Sequence, residues 1–322
     1  MSTNKILASL ALPSFIIATA QIASADPLPN ETLKFQQRPQ NGTQFFGHDE
    51  SSTAFAQRDA NGQIIGYTGD FMADDFADKF STPVVHLRWW GSYLNNVTGS
   101  TNGVQRFLIA FESDVPAGTG SVNFSRPGQP ITSQIVTKGP LAPSSGTFVE
   151  TLITPPAVTG GEGIFQYNAE LNLGKEFKQN PDTVYWLKIV ALEDQAPGAG
   201  TFNWGWHNRD YRVNDPLAST PPAVAPGERD LGPFAGGSVW HFQDDAVHGN
   251  IQMTLVPTAP DGFLFQQSGF EPRNYVDGFD GPTGISQFSK DLAFELYTVI
   301  PEPACPVLIG LTTTWALRRR RA

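Results

Sequence analysis

"VVHLRWWGSYL", residues 84–94, alternates between apolar and polar side chains, and this alternation decides the fold class. In an extended chain, successive side chains point to opposite faces. The residues that would share the core-facing side are Val85, Leu87, Trp89 and Tyr93, and those on the other side are His86, Arg88, Trp90 and Ser92. The stretch therefore predicts a β-strand with one face in a hydrophobic core.

The same period of two recurs in short runs along the chain, separated by many of its 31 glycines and 26 prolines. The further strand candidates are residues 63–67, 104–112, 147–153, 163–171, 183–192, 201–207, 238–242, 251–256, 262–266 and 292–298. Residues 139–163 and 214–237 are rich in proline or glycine and are predicted to be mostly long connections. We therefore expect an all-β protein, with one domain at residues 26–300 that forms a jelly-roll-like antiparallel β-sandwich.

Residues 1–25 have the three parts of a secretory signal peptide. Lys5 precedes a mostly apolar segment, residues 6–20, and Ala23 and Ala25 form a small-x-small cleavage site. A buried N-terminal helix is the alternative, and Pro13 inside the apolar segment argues against it. We therefore expect the protein to be exported.

The C-terminal segment, residues 301–322, suggests a membrane stop. Pro301, Glu302 and Pro303 precede an apolar run of 14 residues, and Arg318, Arg319, Arg320 and Arg321 follow this run. At about 1.5 Å per residue the run reaches about 21 Å, which is shorter than the roughly 30 Å hydrocarbon core of a bilayer. The segment therefore predicts transient membrane contact, with the arginines on the cytoplasmic side.

This order of Pro-Glu-Pro motif, apolar run and arginine cluster resembles the PEP-CTERM sorting signal of exported bacterial proteins. The resemblance covers about the last 24 residues. It implies a sorting protease of the exosortase type as a partner, which would process the tail near the Pro-Glu-Pro motif. It also implies transient anchoring in the cytoplasmic membrane, followed by a cell-surface or extracellular location where extracellular polysaccharide is a candidate partner.

The charge of the chain excludes one class of partner. Removal of residues 1–25 and 304–322 would leave 16 basic residues against 31 acidic ones, a net charge near −15. Such a surface argues against nucleic acid and against anionic membrane surfaces as partners.

The single cysteine, Cys305, lies in the C-terminal segment, so no disulfide framework is expected in residues 26–300. We interpret Cys305 as part of the apolar run, with a processing or lipidation site as the alternative.

Five short segments in the body of the chain carry a second resemblance. They are ADDF at residues 73–76, WWGSYL at 89–94, YWLKIVA at 185–191, WGWHNR at 204–209 and DDAV at 244–247. In this order they look like an uncharacterised β-sandwich domain of exported bacterial proteins, over residues 69–257. The resemblance bears on fold and location, and it implies no activity.

The sequence contains no motif for nucleophilic catalysis, phosphate binding or a zinc helix, so we predict no catalytic residues, no enzymatic activity and no cofactor.

Two carboxylate pairs, Asp74 with Asp75 and Asp244 with Asp245, are candidate ligands for Ca²⁺, which prefers several oxygen atoms from loops. Adjacent aspartates in a strand point to opposite faces, so neither pair alone chelates an ion. Turn capping and loop hydrogen bonds are the alternative roles.

Two tryptophans, Trp90 and Trp186, fall on the polar sides of their predicted strands, together with Arg88 and Lys188. An exposed face of this kind would suit a sugar, because flat rings stack on sugar rings while polar groups bind hydroxyls. The same residues would equally fit packing beneath residues 214–237. The sequence thus favours a non-enzymatic surface or matrix protein, with a carbohydrate-binding module as the first alternative and a secreted glycan-processing enzyme as the second.

Overall fold

The structure, a computed structural model, describes residues 27–299 except 38, 40–48, 79, 94–102, 117, 121, 123, 155–162, 182, 199–200, 209–245 and 274–290. The strands are β1 (Glu31–Gln37), β2 (Asp49–Ser51), β3 (Thr53–Arg58), β4 (Ile64–Phe76), β5 (His86–Tyr93), β6 (Arg106–Val115), β7 (Arg126–Lys138), β8 (Thr147–Thr154), β9 (Ile164–Glu170), β10 (Tyr185–Glu193), β11 (Trp204–His207), β12 (Val247–Leu255), β13 (Phe263–Pro272) and β14 (Phe294–Val299). All regular elements of these residues are strands, which confirms the all-β prediction. None of the described residues belongs to a helix with the length and hydrophobicity needed to cross a bilayer.

Hydrogen bonds join twelve strands in the order β1-β14-β5-β9-β8-β7-β6-β10-β3-β4-β12-β13, and β11 pairs with β5 and β2. Two neighbouring pairs, β3 with β10 and β7 with β8, are parallel, so the prediction of a purely antiparallel arrangement is wrong at these places. The first has a simple cause. Strands β3 and β4 are antiparallel to each other and both pair with β10, so one of them must run parallel to it.

The larger of the hydrophobic clusters is rich in aromatic side chains. The ring of Phe107, on β6, lies 5.1 Å from that of Trp89 on β5 and 4.9 Å from that of Trp204 on β11. Strands β5 and β6 are not neighbours in the sheet. Their side chains can meet because the path of strands folds over and encloses this cluster. The alternation in residues 84–94 is confirmed for Leu87, Trp89 and Tyr93, which belong to the cluster, but it is wrong for Val85, because the preceding Val84 lies in the cluster instead.

A second cluster lies on the opposite face of β10. Leu187 and Ile189 belong to the first cluster, whereas Trp186 and Val190 belong to the second. Residues of β12 and β13, such as Met253 and Phe263, complete the second cluster. All nine residues of β10 are buried, because the strand has apolar packing on both of its faces.

Strand β7 was not expected from the sequence, and its prolines explain why. Proline cannot donate to a ladder hydrogen bond and normally argues against a paired strand. Here Pro127 and Pro130 lie opposite Asp114 and Glu112, at register shifts in the pairing of β6 with β7. The irregular pairing accommodates two residues that cannot donate a ladder hydrogen bond. The strand candidate at residues 238–242 lies outside the described residues.

The first and last strands of the described chain are neighbours. Strand β14 lies between β1 and β5, and it is antiparallel to both. Glu31 at the start of β1 pairs with Val299 at the end of β14.

Candidate functional site

Trp186 and Lys188, two of the four residues predicted for a ligand face, are fully buried on β10. The indole nitrogen of Trp186 donates a hydrogen bond to Asp114 Oδ1 at 2.8 Å. The hairpin of β12 and β13 contributes residues to the cluster that surrounds Trp186. In this position the indole ring packs in the interior and offers no surface on which a sugar ring could stack.

Trp90 and Arg88, the other two residues, lie on β5. Trp90 is 5% exposed and packs with Ile164 and Ala293 in a small cluster. Arg88 donates to Glu295 Oε2 at 2.9 Å, and its guanidinium lies 5.4 Å from the ring centroid of Tyr297. Strands β5 and β10 are not neighbours in the sheet, so the structure does not bring the four residues together on one exposed face.

The carboxylate of Asp74 binds backbone N–H groups. Its Oδ2 accepts from the backbone of Leu292 at 2.7 Å and its Oδ1 from the backbone of Asp75 at 3.1 Å. Asp74 and Asp75 are both fully buried, and the alternation of β4 directs them to opposite faces. Asp74 therefore joins β4 to the segment before β14, and this pair does not converge on a common point.

The remaining predicted site residues lie outside the described residues. They are Ala23 and Ala25 of the signal peptide, Asp244 and Asp245 of the second carboxylate pair, Pro301, Glu302 and Pro303 of the sorting motif, and Arg318, Arg319, Arg320 and Arg321 of the arginine cluster. The predictions that rest on them stay predictions.

Asp49, Ser92 and His207 form a buried group with the residue types of a hydrolase triad. The hydroxyl of Ser92 donates to Asp49 Oδ2, and His207 Nδ1 lies 2.7 Å from Asp49 Oδ1. In nucleophilic catalysis the imidazole lies between the hydroxyl and the carboxylate, so that it can take the hydroxyl proton. Here the carboxylate lies between the other two groups, which fits a structural link between β2, β5 and β11.

A second buried group joins β1, β5 and β9 through His86, and sequence analysis did not single it out. His86 Nδ1 lies 2.8 Å from Glu170 Oε1 and 3.1 Å from Glu31 Oε2. Its Nε2 lies 3.2 Å from Asn168 Oδ1, which also accepts a hydrogen bond from Arg88 Nε at 2.9 Å. Because both ring nitrogens face acceptors, the arrangement fits a doubly protonated, positively charged imidazole.

The surroundings of His86 shift its titration. Burial alone would lower the pKa of His86, but hydrogen bonds to Glu170 and Glu31 outweigh burial and hold this pKa above its ordinary value. Burial raises the pKa of Glu170. Burial would also raise the pKa of Glu31, but the hydrogen bond from His86 and its charge lower it overall.

Glu31, His86 and Glu170 are also the described residues whose ligand atoms lie close enough, within 4.8 Å of one another, to hold a metal ion. A tetrahedral zinc ion would separate its ligand atoms by about 3.4 Å. The 2.8 Å contact between His86 and Glu170 is instead a hydrogen-bond distance. In this arrangement the Nδ1 proton of His86 is shared with the carboxylates of Glu31 and Glu170.

A third buried group lies in the second cluster and joins β6, β10 and β13. Lys188 Nζ donates to Glu112 Oε1 at 2.6 Å and to Gln267 Oε1. The amide nitrogen of Gln267 donates to Glu112 Oε2 at 2.9 Å and to the backbone oxygen of Gly128 at 2.7 Å. The carboxylate of Glu112 therefore bridges the lysine amine and the glutamine amide.

Apolar rings surround this third group. Lys188 Nζ lies 4.0 Å from the ring centroid of Phe71 and 5.2 Å from that of Phe265. Both Lys188 and Glu112 are 0% exposed. Burial lowers the pKa of Lys188, although the charge of Glu112 and its hydrogen bond act in the opposite direction. The sequence signal that could have revealed this group is a lysine inside the apolar run YWLKIVA.

Comparison with known proteins gives one match. A family model described as a domain of unknown function (DUF7901) matches residues 33–230, which is more than half of the chain. Neither the curated proteins nor the solved structures contain a match. The matched range contains four of the five segments that carry the resemblance to an uncharacterised domain, and DDAV at residues 244–247 lies beyond it. The chain therefore belongs to the DUF7901 family of domains of unknown function.

Proposed function

We propose that this chain is an exported, non-enzymatic protein of a bacterial cell surface or extracellular matrix. The observation that carries the proposal is the order of the Pro-Glu-Pro motif, the short apolar run and the four arginines in residues 301–322. The signal-peptide pattern of residues 1–25 and the acidic residues between the two ends support the same route. In this route the chain crosses the membrane, rests there through its C-terminal segment and is then processed.

The buried groups of the described chain support a structural role over a catalytic one. The side chains of His86 and Lys188 lie in hydrogen-bond contact with neighbouring carboxyl groups. Asp49 holds a hydroxyl and an imidazole in an order that differs from that of a hydrolase. The domain is proposed to be a jelly-roll-like sandwich, because strands from distant parts of the sheet path enclose the aromatic cluster around Phe107.

Carbohydrate binding remains the alternative, but the residues first assigned to it no longer support it. Trp186 is 0% exposed and Trp90 is 5% exposed, so neither ring is available for stacking on a sugar. Retention of the full protein on a polysaccharide would therefore have to depend on other residues. If W90F abolished such retention while the melting temperature stayed unchanged, the alternative would regain its site.

Cell fractionation tests the sorting proposal. Replacing Pro301, Glu302 and Pro303 by alanine should leave the full-length protein in the membrane fraction of the native host, because the sorting protease would lose its recognition site. The matched control is Leu264→Ala, a change at an exposed position of β13 that should leave sorting intact. Equal amounts of processed surface protein from both variants would contradict the proposal.

A further inference from the structure

We propose that Lys188 and Gln267 become joined by an amide bond between Lys188 Nζ and Gln267 Cδ, with release of ammonia and with Glu112 as the proton-transferring group. The proposal goes beyond the sorting and surface role, because it concerns a covalent modification of the domain itself. It rests on three side chains of the second cluster, which come from β6, β10 and β13.

The first requirement is a nucleophile next to an electrophile. The Lys188 amine contacts the carbonyl oxygen of the Gln267 amide, so the carbonyl carbon lies one bond farther away. Holding two reacting groups in contact replaces a bimolecular encounter and gives effective concentrations of about 10⁵ M or more in well-oriented cases. An exposed lysine and glutamine lack this advantage.

The second requirement is an amine with a free electron pair. A lysine amine in water is protonated and does not attack an amide. Lys188 is fully buried among the rings of Phe71 and Phe265, and burial lowers its pKa. Within the pair, transfer of a proton from Lys188 to Glu112 converts two buried charges into two neutral groups, and this removes the unfavourable burial of both charges.

The third requirement is a group that moves protons between the attacking and leaving nitrogens. Glu112 Oε1 lies 2.6 Å from Lys188 Nζ, and Glu112 Oε2 lies 2.9 Å from the amide nitrogen of Gln267. One carboxyl group thus contacts both nitrogens, which is the position expected of a general acid and base.

The reaction balances without any other reactant. After the proton transfer, the neutral Lys188 Nζ attacks Gln267 Cδ, and protonated Glu112 gives its proton to the amide nitrogen of Gln267. The bond from this nitrogen to Cδ breaks and ammonia leaves, and the Glu112 carboxylate takes a proton from the attacking nitrogen. Gln267 is only half-buried, which gives the ammonia a short way to solvent. The product is an amide that links two residues 79 positions apart in the sequence.

Peptide mapping of the purified full-length chain tests the proposal. After denaturation and digestion with trypsin, the peptides that contain Lys188 and Gln267 should appear as one joined species, lighter than their sum by one ammonia, about 17 Da. Trypsin should not cut after Lys188, whereas it should cut after Lys175, whose amine contacts a carboxylate at a partly exposed site. The mass of the whole chain would not be enough, because Asn-Gly sequences such as Asn61-Gly62 can also lose ammonia. The joined peptides must therefore be identified directly.

Separate peptides with an intact Lys188 and Gln267 in the wild-type protein would overturn the proposal and identify the group as an ordinary buried ion pair. K188M should abolish the joined species. E112Q keeps both reacting residues, and it should slow their joining by about 100-fold or more, because it removes the acid and base. E112D keeps a carboxyl group, so it should still join the two residues and serves as the control for folding. Joining at the wild-type rate in E112Q would refute the role of Glu112.

Discussion

Replacing Phe107 by alanine should remove the centre of the aromatic cluster that joins distant parts of the sheet path. The ring is fully buried, and its centroid lies between 4.9 and 5.2 Å from those of Trp89, Phe148, Tyr167 and Trp204. Replacing a buried phenylalanine by alanine buries less apolar area and leaves a cavity, and together these lower the free energy of unfolding by about 3–5 kcal/mol. Edge-to-face ring pairs add about 0.5–1.5 kcal/mol each beyond burial, so we expect the upper end, about 5 kcal/mol.

Thermal and denaturant unfolding of F107A would measure this loss. For a chain of this size, about 5 kcal/mol corresponds to a decrease of about 10–20 °C in the melting temperature. Leu264→Ala is the matched control, since Leu264 is 60% exposed on β13 and its loss should change the free energy of unfolding by about 0.5 kcal/mol or less. Similar losses for the two variants would refute the assignment of Phe107 to a tightly packed core.

Three further predictions concern the buried groups and close contacts. The contribution of His86 to the free energy of unfolding should be greatest below about pH 6.5 and fall as the pH rises through its raised pKa, because the folded protein holds this proton more tightly than the unfolded chain. H86Q should flatten this part of a urea-unfolding profile, and an unchanged profile would contradict the assignment. Asp74→Ala should lower the free energy of unfolding, measured with denaturant, by about 1–3 kcal/mol, because two backbone N–H groups lose their acceptor. A smaller decrease than that of L264A would contradict this role of Asp74. Gly91→Ala should lower the melting temperature by several degrees, because the new Cβ would lie 2.5 Å from Trp204 Cζ2. Gly198→Ala is the control: its new Cβ would lie 4.0 Å from the nearest atom, so the melting temperature should stay unchanged.

The local sequence predicts the individual strands better than it predicts what covers them. Alternation in residues 84–94 and 183–192 is enough to identify β5 and β10, because the period of two is a property of each strand alone. The same alternation assigned Trp186 and Lys188 to an outer face, since a lysine beside a tryptophan is typical of a solvated surface. The cover comes from β12 and β13, and their contact with β10 depends on folding of the whole chain.

The buried polar groups were harder to predict for a related reason. Lys188 meets Glu112 and Gln267, which lie 76 and 79 positions away in the sequence, and His86 meets Glu170, 84 positions away. No short motif contains such partners, because sheet pairing and not local spacing brings them together. A lysine within a strongly apolar run is the one local sign that a partner must exist, since an unpaired buried charge is too unfavourable to persist.

The position of β14 between β1 and β5 makes the order of synthesis matter. A ribosome produces β1 first and β14 last, so β1 has no neighbour on its β14 side until nearly the whole described chain has emerged. During this interval the backbone groups of β1 and β5 that await β14 form open edges, and open edges can pair with other chains. A nascent chain that stops before Phe294 would keep these edges permanently. Premature truncation near the C-terminus should therefore produce aggregation and not merely a shortened protein.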